Sequence, residues 1–70
     1  MPVIEQKHLS KSELKVLELV SKGFTSQAIG AQLKITKATV QTHRRNMLRK
    51  TKFSNTQQLV GWAVREGLLN

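Results

Sequence analysis

Cationic and hydrogen-bonding side chains are concentrated between residues 34 and 52, in the sequence KITKATVQTHRRNMLRKTK. This segment holds seven of the twelve Lys and Arg residues and none of the four Glu, and the chain has no Asp. Arg, Gln and Thr side chains can bind the phosphates and base edges of a nucleic acid. Val40, Met47 and Leu48, spaced i, i+7 and i+8, predict a helix with a packed face and an opposite cationic face. Such a helix would attract a polyanion.

The composition of the whole chain favours the same class of partner. The formal net charge is +8 and the sequence pI is about 10.7, as expected of a domain that binds nucleic acid. A basic surface that serves only solubility is the plainer alternative. A membrane-surface helix would carry aromatic residues on a wide apolar face, but Phe24, Phe53 and Trp62 all lie outside the predicted basic helix.

The sequence offers no arrangement of residues for catalysis or for a cofactor. Cysteine is absent, and only His8 and His43 could bind a metal, so we predict no metal site. No base stands beside a nucleophile, and no glycine-rich phosphate loop is present. We therefore expect no enzyme and no cofactor. Because the sequence has neither a run of 18 apolar residues nor the apolar core of a signal peptide, a cytoplasmic location is expected.

The residue pattern predicts an all-α chain of four helices joined by short loops. Ser10 and Glu13, in the order S-x-x-E, form a capping box at the start of the first helix, and Gly23 ends that helix. The other three helices begin after residues that can cap helix amides, namely Thr25, Thr36 and Asn55. The predicted helices span residues 11–22, 26–33, 37–51 and 56–66. Residues 1–8 are predicted to be a flexible tail or linker remnant.

One apolar core is predicted from the periodic positions of these helices. The fourth helix is expected to bury the stripe formed by Leu59, Val60, Ala63 and Val64. Phe24 is expected to pack into the core from the first loop, and Ile35 from the turn between the second and third helices. Gly30 is costly inside a helix, by about 1 kcal/mol relative to Ala. It either allows another helix to cross closely or stands on an exposed face.

At many fixed positions the run from Leu9 to Leu69 resembles the LuxR/GerE-type helix-turn-helix. The residues that carry the resemblance are Leu9-Ser10 with Glu13, Val16-Leu17, Gly23, Ile29, Leu33, Thr39-Val40 with His43, Leu48, Lys50 and Asn55. The resemblance implies a four-helix DNA-binding domain, residues 9–70 here, that is the output domain of a bacterial transcription regulator and acts at the nucleoid. The second and third helices would form the helix-turn-helix, and the fourth would be the dimerisation surface.

The chain departs from the family pattern at several positions. Gln27-Ala28 stand where the family often has Lys-Glu, Gly30 where Ala is common, and Thr56 where Arg is common. Thr51-Lys52 replace a Leu-Gly pair. None of these changes removes the fold. Gln41 stands where a basic residue is common, so the base specificity of the family is not carried over to this chain.

The resemblance and the helix geometry together assign the outward face of the third helix to the bases of the major groove. The residues predicted to contact base edges are Gln41, Thr42 and Arg45. Gln pairs with adenine and Arg with guanine, and a Thr methyl can pack on that of thymine. The alternatives are a solvated face for Gln41 and Thr42, and a phosphate contact for Arg45. The residues predicted to contact phosphates are Ser26, Thr36, Lys37, Thr39, His43, Arg44, Arg49 and Lys50.

Several of these residues have a structural alternative. Lys50 can instead pair with Glu13 or Glu18 of the first helix, and Arg44 borders the packed stripe. His43 is expected to pack at the edge of the core. The residues predicted for dimerisation are Leu59, Val60 and Trp62, although Trp62 can also form the rim of the core.

The predicted function is sequence-specific binding of double-stranded DNA by a homodimer that meets through its fourth helices. RNA polymerase is a further candidate partner, and no membrane contact is expected. The alternative is a protein-interaction module that retains the fold and binds DNA only non-specifically. RNA reading is disfavoured because sequence-specific RNA readers stack bases on aromatic side chains, and the third helix has none.

Overall fold

The computed structural model describes residues 9–69, and its helices coincide closely with the predicted ones. They are α1 (Lys11–Ser21), α2 (Ser26–Leu33), α3 (Lys37–Thr51) and α4 (Thr56–Arg65). No strand occurs within residues 9–69, so the predicted all-α fold is confirmed. Helices α1 and α4 each end one residue earlier than predicted, and Lys22 and Glu66 are their C-caps. The predicted tail at residues 1–8 lies outside the described residues.

Side chains cap the start of each of these four helices, as the sequence predicts. In the capping box of α1, the Glu13 amide donates to Ser10 Oγ at 3.1 Å and the Ser10 amide donates to Glu13 Oε1 at 2.9 Å. The caps of the other helices accept an amide three residues later and are Thr25, Thr36 and Asn55. Gly23 and Gly67 have φ angles of +91° and +77°. Glycine adopts this left-handed conformation easily, which ends α1 and α4.

In the described part of the chain, one apolar core lies where the helices meet. Its buried side chains are Leu9, Val16, Leu17, Ile29, Val40, Met47, Leu59, Ala63 and Leu69. Burial of each large apolar side chain stabilises the fold by roughly 1.5–3 kcal/mol before entropy is counted. Helix α3 contacts each of the other three helices. The basic segment, residues 34–52, is therefore held from several sides. Within residues 9–69, the helices lack the length and apolarity needed to cross a membrane.

Two apolar residues that the sequence assigns to the core are exposed. Phe24 is 41% exposed and Val64 is 52% exposed, so both predictions are wrong. The Phe24 amide donates to the Leu19 carbonyl at 3.1 Å, which ties the residue to the end of α1. Val64 lies about 100° around the helix from the buried Ala63, which places it beyond the edge of the buried stripe. Ile35 is half-buried against the core.

Candidate nucleic-acid interface

A tight turn holds α3 against α2. Lys34 ends α2 in the left-handed conformation, with φ +62°, and the Ile35 amide donates to the Gly30 carbonyl at 2.9 Å. A β-carbon on Gly30 would lie 2.7 Å from the Ile35 carbonyl oxygen and 3.3 Å from the Lys37 amide nitrogen. Gly30 is buried, so an exposed position is excluded. The predicted close approach is present, but the neighbour is the turn and the start of α3 rather than the middle of another helix.

Helix α3 has one buried and one exposed face. Val40, Met47 and Thr51 are buried, and the Thr51 hydroxyl donates to the Met47 carbonyl at 2.7 Å. The three residues predicted to contact bases are all exposed and are Gln41, Thr42 and Arg45. At about 100° per residue, these three fall within about 100° of the helix circumference. The periodic pattern of the sequence therefore places them on one accessible surface, which we call the reading face.

The N-cap and first turn of α3 carry two hydroxyl groups and one ammonium group. Thr36, Lys37 and Thr39 are exposed. Thr36 Oγ1 accepts the Thr39 amide at 3.0 Å and lies 2.9 Å from Thr39 Oγ1. The first-turn amides of a helix form the positive end of its dipole and favour an anion. An anion at this end of α3 would meet the hydroxyl groups and the side chain of Lys37 together.

Lys50 forms an ion pair inside the fold. Its Nζ donates to both carboxylate oxygens of the buried Glu13, at 2.9 and 3.1 Å. Of the internal partners that the sequence offers, Glu13 rather than Glu18 is the one used. Burial by itself raises the pKa of Glu13. The Ser10 amide, the Lys50 ammonium and the nearby His43 outweigh that effect, so the pKa lies below its ordinary value of 4.5.

Arg44 and Ser26, both predicted to contact phosphate, bind each other. Arg44 Nη1 donates to Ser26 Oγ at 2.8 Å, and Nη2 donates to Thr56 Oγ1 at the longer distance of 3.5 Å. Arg44 is half-buried and Ser26 is buried. The sequence does not indicate Thr56 as a partner of Arg44, because the two residues belong to different helices and only the packing of α3 against α4 brings them together.

The half-buried His43 lies at the edge of the core, as expected. It lines a surface pocket together with Val16, Leu33 and Ile35. The cations that remain exposed on α3 include Lys37, Arg45 and Arg49, and the last of these donates to Asn46 Oδ1 at 3.1 Å.

Two exposed lysines flank α3 and were not assigned a contact from the sequence. Lys34 and Lys52 each occupy a helix C-cap with a positive φ, at +62° and +63°. Their side chains are exposed at opposite ends of the basic segment. Their position within residues 34–52 is the sequence signal that could have marked Lys34 and Lys52 as candidate DNA contacts.

The residues predicted for dimerisation lie on different sides of α4. Leu59 is fully buried within the domain, so its side chain offers no surface to a second copy. Trp62 is half-buried, with its ring centroid 5.9 Å from that of Phe53 and the two rings inclined at 47°. Val60 is also half-buried, but at about 100° per residue it lies about 160° from Trp62 around the helix. The accessible face between them contains Gly61 and the exposed Val64.

Comparison with known proteins relates this chain to bacterial regulatory proteins. The family model described as "Bacterial regulatory proteins, luxR family" matches residues 7–63. Response regulator protein TmoT of Ectopseudomonas mendocina is 44% identical over 52 residues, which cover 74% of this chain and 24% of TmoT. Transcriptional regulatory protein LiaR of Bacillus subtilis is 42% identical over 62 residues, which cover 89% of this chain and 29% of LiaR. The chain thus spans less than a third of the length of these relatives.

Proposed function

Because this chain belongs to the luxR family of bacterial regulatory proteins, we propose that it binds a specific DNA sequence and reads it with α3 in the major groove. Its family and its regulator relatives place it among DNA-binding domains of transcription regulation. The observation that carries the finer proposal is the reading face, where Gln41, Thr42 and Arg45 are exposed together on the basic helix. The major groove of B-DNA is wide enough to admit an α-helix.

Each residue of the reading face has a suitable base. Gln41 can pair bidentately with adenine and Arg45 with guanine. The Thr42 hydroxyl donates to the Ala38 carbonyl at 3.0 Å, which leaves its methyl group free to pack on a thymine methyl. Each good bidentate pair gives about 1–3 kcal/mol of discrimination between bases.

We assign the phosphate contacts to exposed groups at both ends of α3. These are Thr36, Lys37 and Thr39 at its start and Arg49 near its end. Of the other residues predicted to bind phosphate, Ser26 is buried, His43 and Arg44 are half-buried, and Lys50 is paired with the carboxylate of Glu13. Four phosphate contacts predict that log K falls with log salt at a slope of about −3.6 for each bound copy.

We also propose that two copies meet on DNA through the accessible face of α4. Val64 is 52% exposed there, next to Gly61, which has no side chain. Val60 borders this face, whereas Trp62 packs on Phe53 at the rim of the core. Val64→Asp should therefore reduce the sedimentation coefficient of the DNA-bound complex, and Trp62→Ala should change it less. Equal sedimentation of Val64→Asp and the unsubstituted chain would contradict this contact.

Selection from a pool of random duplex DNA tests the proposed function. We expect an enriched motif, arranged as an inverted repeat if two copies bind with two-fold symmetry. Arg45→Ala should relax the motif at one position, whereas Lys15→Ala removes the same charge from the exposed surface of α1 and should leave the motif unchanged. Salt-sensitive binding without any motif would favour the alternative of a protein-interaction module with only non-specific DNA affinity.

A further inference from the structure

We infer that Arg44 is a positioning residue for DNA reading, which fixes α3 against α2 and α4 and does not bind a phosphate. The inference rests on the proposed function, because it concerns how accurately the reading face is presented to the bases. Arg44 Nη1 donates to Ser26 Oγ at 2.8 Å and Nη2 to Thr56 Oγ1 at 3.5 Å. One side chain of α3 thus contacts the first residue of α2 and the first residue of α4.

The two hydroxyl groups can accept from Arg44 because other residues cap the helices. Thr25 and Asn55 accept amides of the first turns of α2 and α4, so Ser26 and Thr56 are not needed as caps. Ser26 is only 7% exposed. A buried hydroxyl is rarely left without a partner, and the guanidinium supplies one. The sequence therefore provides a cap and, next to it, an acceptor at the start of both helices.

A guanidinium suits this arrangement better than an ammonium would. Its donors are fixed in a planar fork and can reach two separate acceptors at once, whereas the Lys ammonium is a single point at the end of a flexible chain. Both acceptors are neutral hydroxyls, so neither of them offsets the positive charge of Arg44. It therefore still adds to the long-range field that attracts DNA, without forming a phosphate contact.

The position of Arg44 around α3 separates it from the reading face. At about 100° per residue, Arg44 lies about 40° from the buried Val40 and about 100° from Arg45. The N–H groups that bind Ser26 and Thr56 are not available to a phosphate, and if the side chain moved away from Ser26 the buried hydroxyl would lose this hydrogen bond. Loss of the Arg44 contacts should therefore disturb the fit of α3 to the bases more than the attraction to the DNA backbone.

Arg44→Lys tests the inference because it keeps the charge and removes the fork. We would measure the affinity of the 70-residue chain for the selected site and for random duplex DNA over a range of salt concentrations. The expected result is a loss of about tenfold on the selected site, with unchanged affinity for random DNA and an unchanged salt slope. Lys15→Arg, the reverse exchange of the same two cationic side chains at an exposed position of α1, should bind the selected site as the original chain does.

Two neutral substitutions provide an independent measurement. Ser26→Ala and Thr56→Val leave every charge in place and should each weaken binding to the selected site by a smaller factor. Because Ser26 and Arg44 act through one contact, Ser26→Ala combined with Arg44→Lys should cost less than the product of the separate losses. Fully multiplicative losses would contradict a shared role of the two residues.

Three results would overturn the inference, with every variant measured at a temperature where circular dichroism shows it folded. The first is unchanged affinity of Arg44→Lys for the selected site. The second is an equal loss on selected and random DNA, which would indicate a phosphate contact. The third is a loss explained entirely by the unfolded fraction. An original chain that prefers no sequence would instead overturn the proposed function, and this inference with it.

Discussion

Lys50 and Glu13 join the end of the basic helix to the start of the first one. Lys50 Nζ donates to both oxygens of the Glu13 carboxylate, at 2.9 and 3.1 Å. Glu13 Oε1 also accepts the Ser10 amide at 2.9 Å. One buried carboxylate therefore completes the capping box of α1 and holds α3 in place, so a local motif is also a tertiary contact.

Acid should weaken the fold through Glu13. Its pKa is lowered in the folded chain from an ordinary value of 4.5, so the unfolded chain takes up the proton first as the pH falls. Glu13 therefore stabilises the folded chain above about pH 4.5. This stabilisation is lost as the pH falls below 4.5 and through the lowered pKa. Glu13→Gln should cost about 1–3 kcal/mol at neutral pH and should flatten this part of the pH dependence. Urea unfolding between pH 7 and pH 3 measures both effects.

Glu18→Gln is the matched control for that experiment. Glu18 meets Lys22 at 3.9 Å, and both side chains are about half exposed, so the substitution should change the free energy of unfolding little. Parallel pH profiles for Glu13→Gln and the unsubstituted chain would show that Glu13 does not link stability to pH.

Removal of the Ser10 hydroxyl should destabilise the chain. Ser10 Oγ accepts the Glu13 amide at 3.1 Å, and loss of such a cap costs about 1 kcal/mol. Ser10→Ala should lower the urea midpoint accordingly. Ser12→Ala makes the same change two residues later at an exposed position, so it should stay within about 0.5 kcal/mol of the original stability. Indistinguishable midpoints for the two variants would rule out a stabilising capping box.

Gly30 and Gly61 should respond to alanine in opposite directions. A β-carbon on Gly30 would lie 2.7 Å from the Ile35 carbonyl oxygen, whereas on Gly61 the nearest atom is the flexible Arg65 Nη1 at 3.4 Å. Gly30→Ala must shift the turn backbone and should cost about 1–3 kcal/mol. Gly61→Ala should raise the free energy of unfolding by up to about 1 kcal/mol, because Ala favours the helix. Thermal unfolding compares the two variants, and equal stabilisation would disprove the close approach at Gly30.

The sequence predicts the helices well because their start and stop signals are local. Ser10 caps a helix that begins at the next residue, and Gly23 adopts the left-handed conformation just after its end. The exposure of Gln41 and Arg45 also follows from helical period alone. Burial of Phe24 could not be judged in this way, since it depends on how the loop after α1 packs against the other helices.

The charged residues between positions 34 and 52 show more clearly that contacts made by tertiary packing cannot be predicted from local sequence. Arg49 and Lys50 are adjacent and look equivalent in the sequence. Only the packing of α1 against α3 makes Lys50 a partner of Glu13, whereas Arg49 donates to Asn46 of its own helix. Contacts with DNA depend on a second molecule, so those of the reading face stay predictions.

Replacement of Lys52 by glycine should stabilise the folded chain. It occupies the left-handed region at φ +63° after the end of α3, which costs an L-residue roughly 1–2 kcal/mol. Lys52→Gly should therefore raise the free energy of unfolding by about 0.5–1 kcal/mol after the greater freedom of the unfolded glycine is counted. Lys52→Ala removes the same charge but keeps the strain, so it should give no such gain in urea unfolding. An equal gain from both variants would assign the effect to charge instead.

Substitutions at Lys50 and Arg49 should have different effects: one should lower the stability of the fold and the other should weaken the attraction to DNA. The Lys50 ammonium is already paired with a buried carboxylate, so Lys50→Gln leaves Glu13 without its partner and should cost about 1–3 kcal/mol of stability. It should change the salt slope of DNA binding little. Arg49 is exposed, so Arg49→Gln should leave stability within about 0.5 kcal/mol and reduce the slope by about 0.9, the value for one phosphate. Urea unfolding and salt titrations on one duplex measure both variants. A reduced slope for Lys50→Gln would mean that DNA draws Lys50 away from Glu13, and phosphate binding would then be its role in the complex.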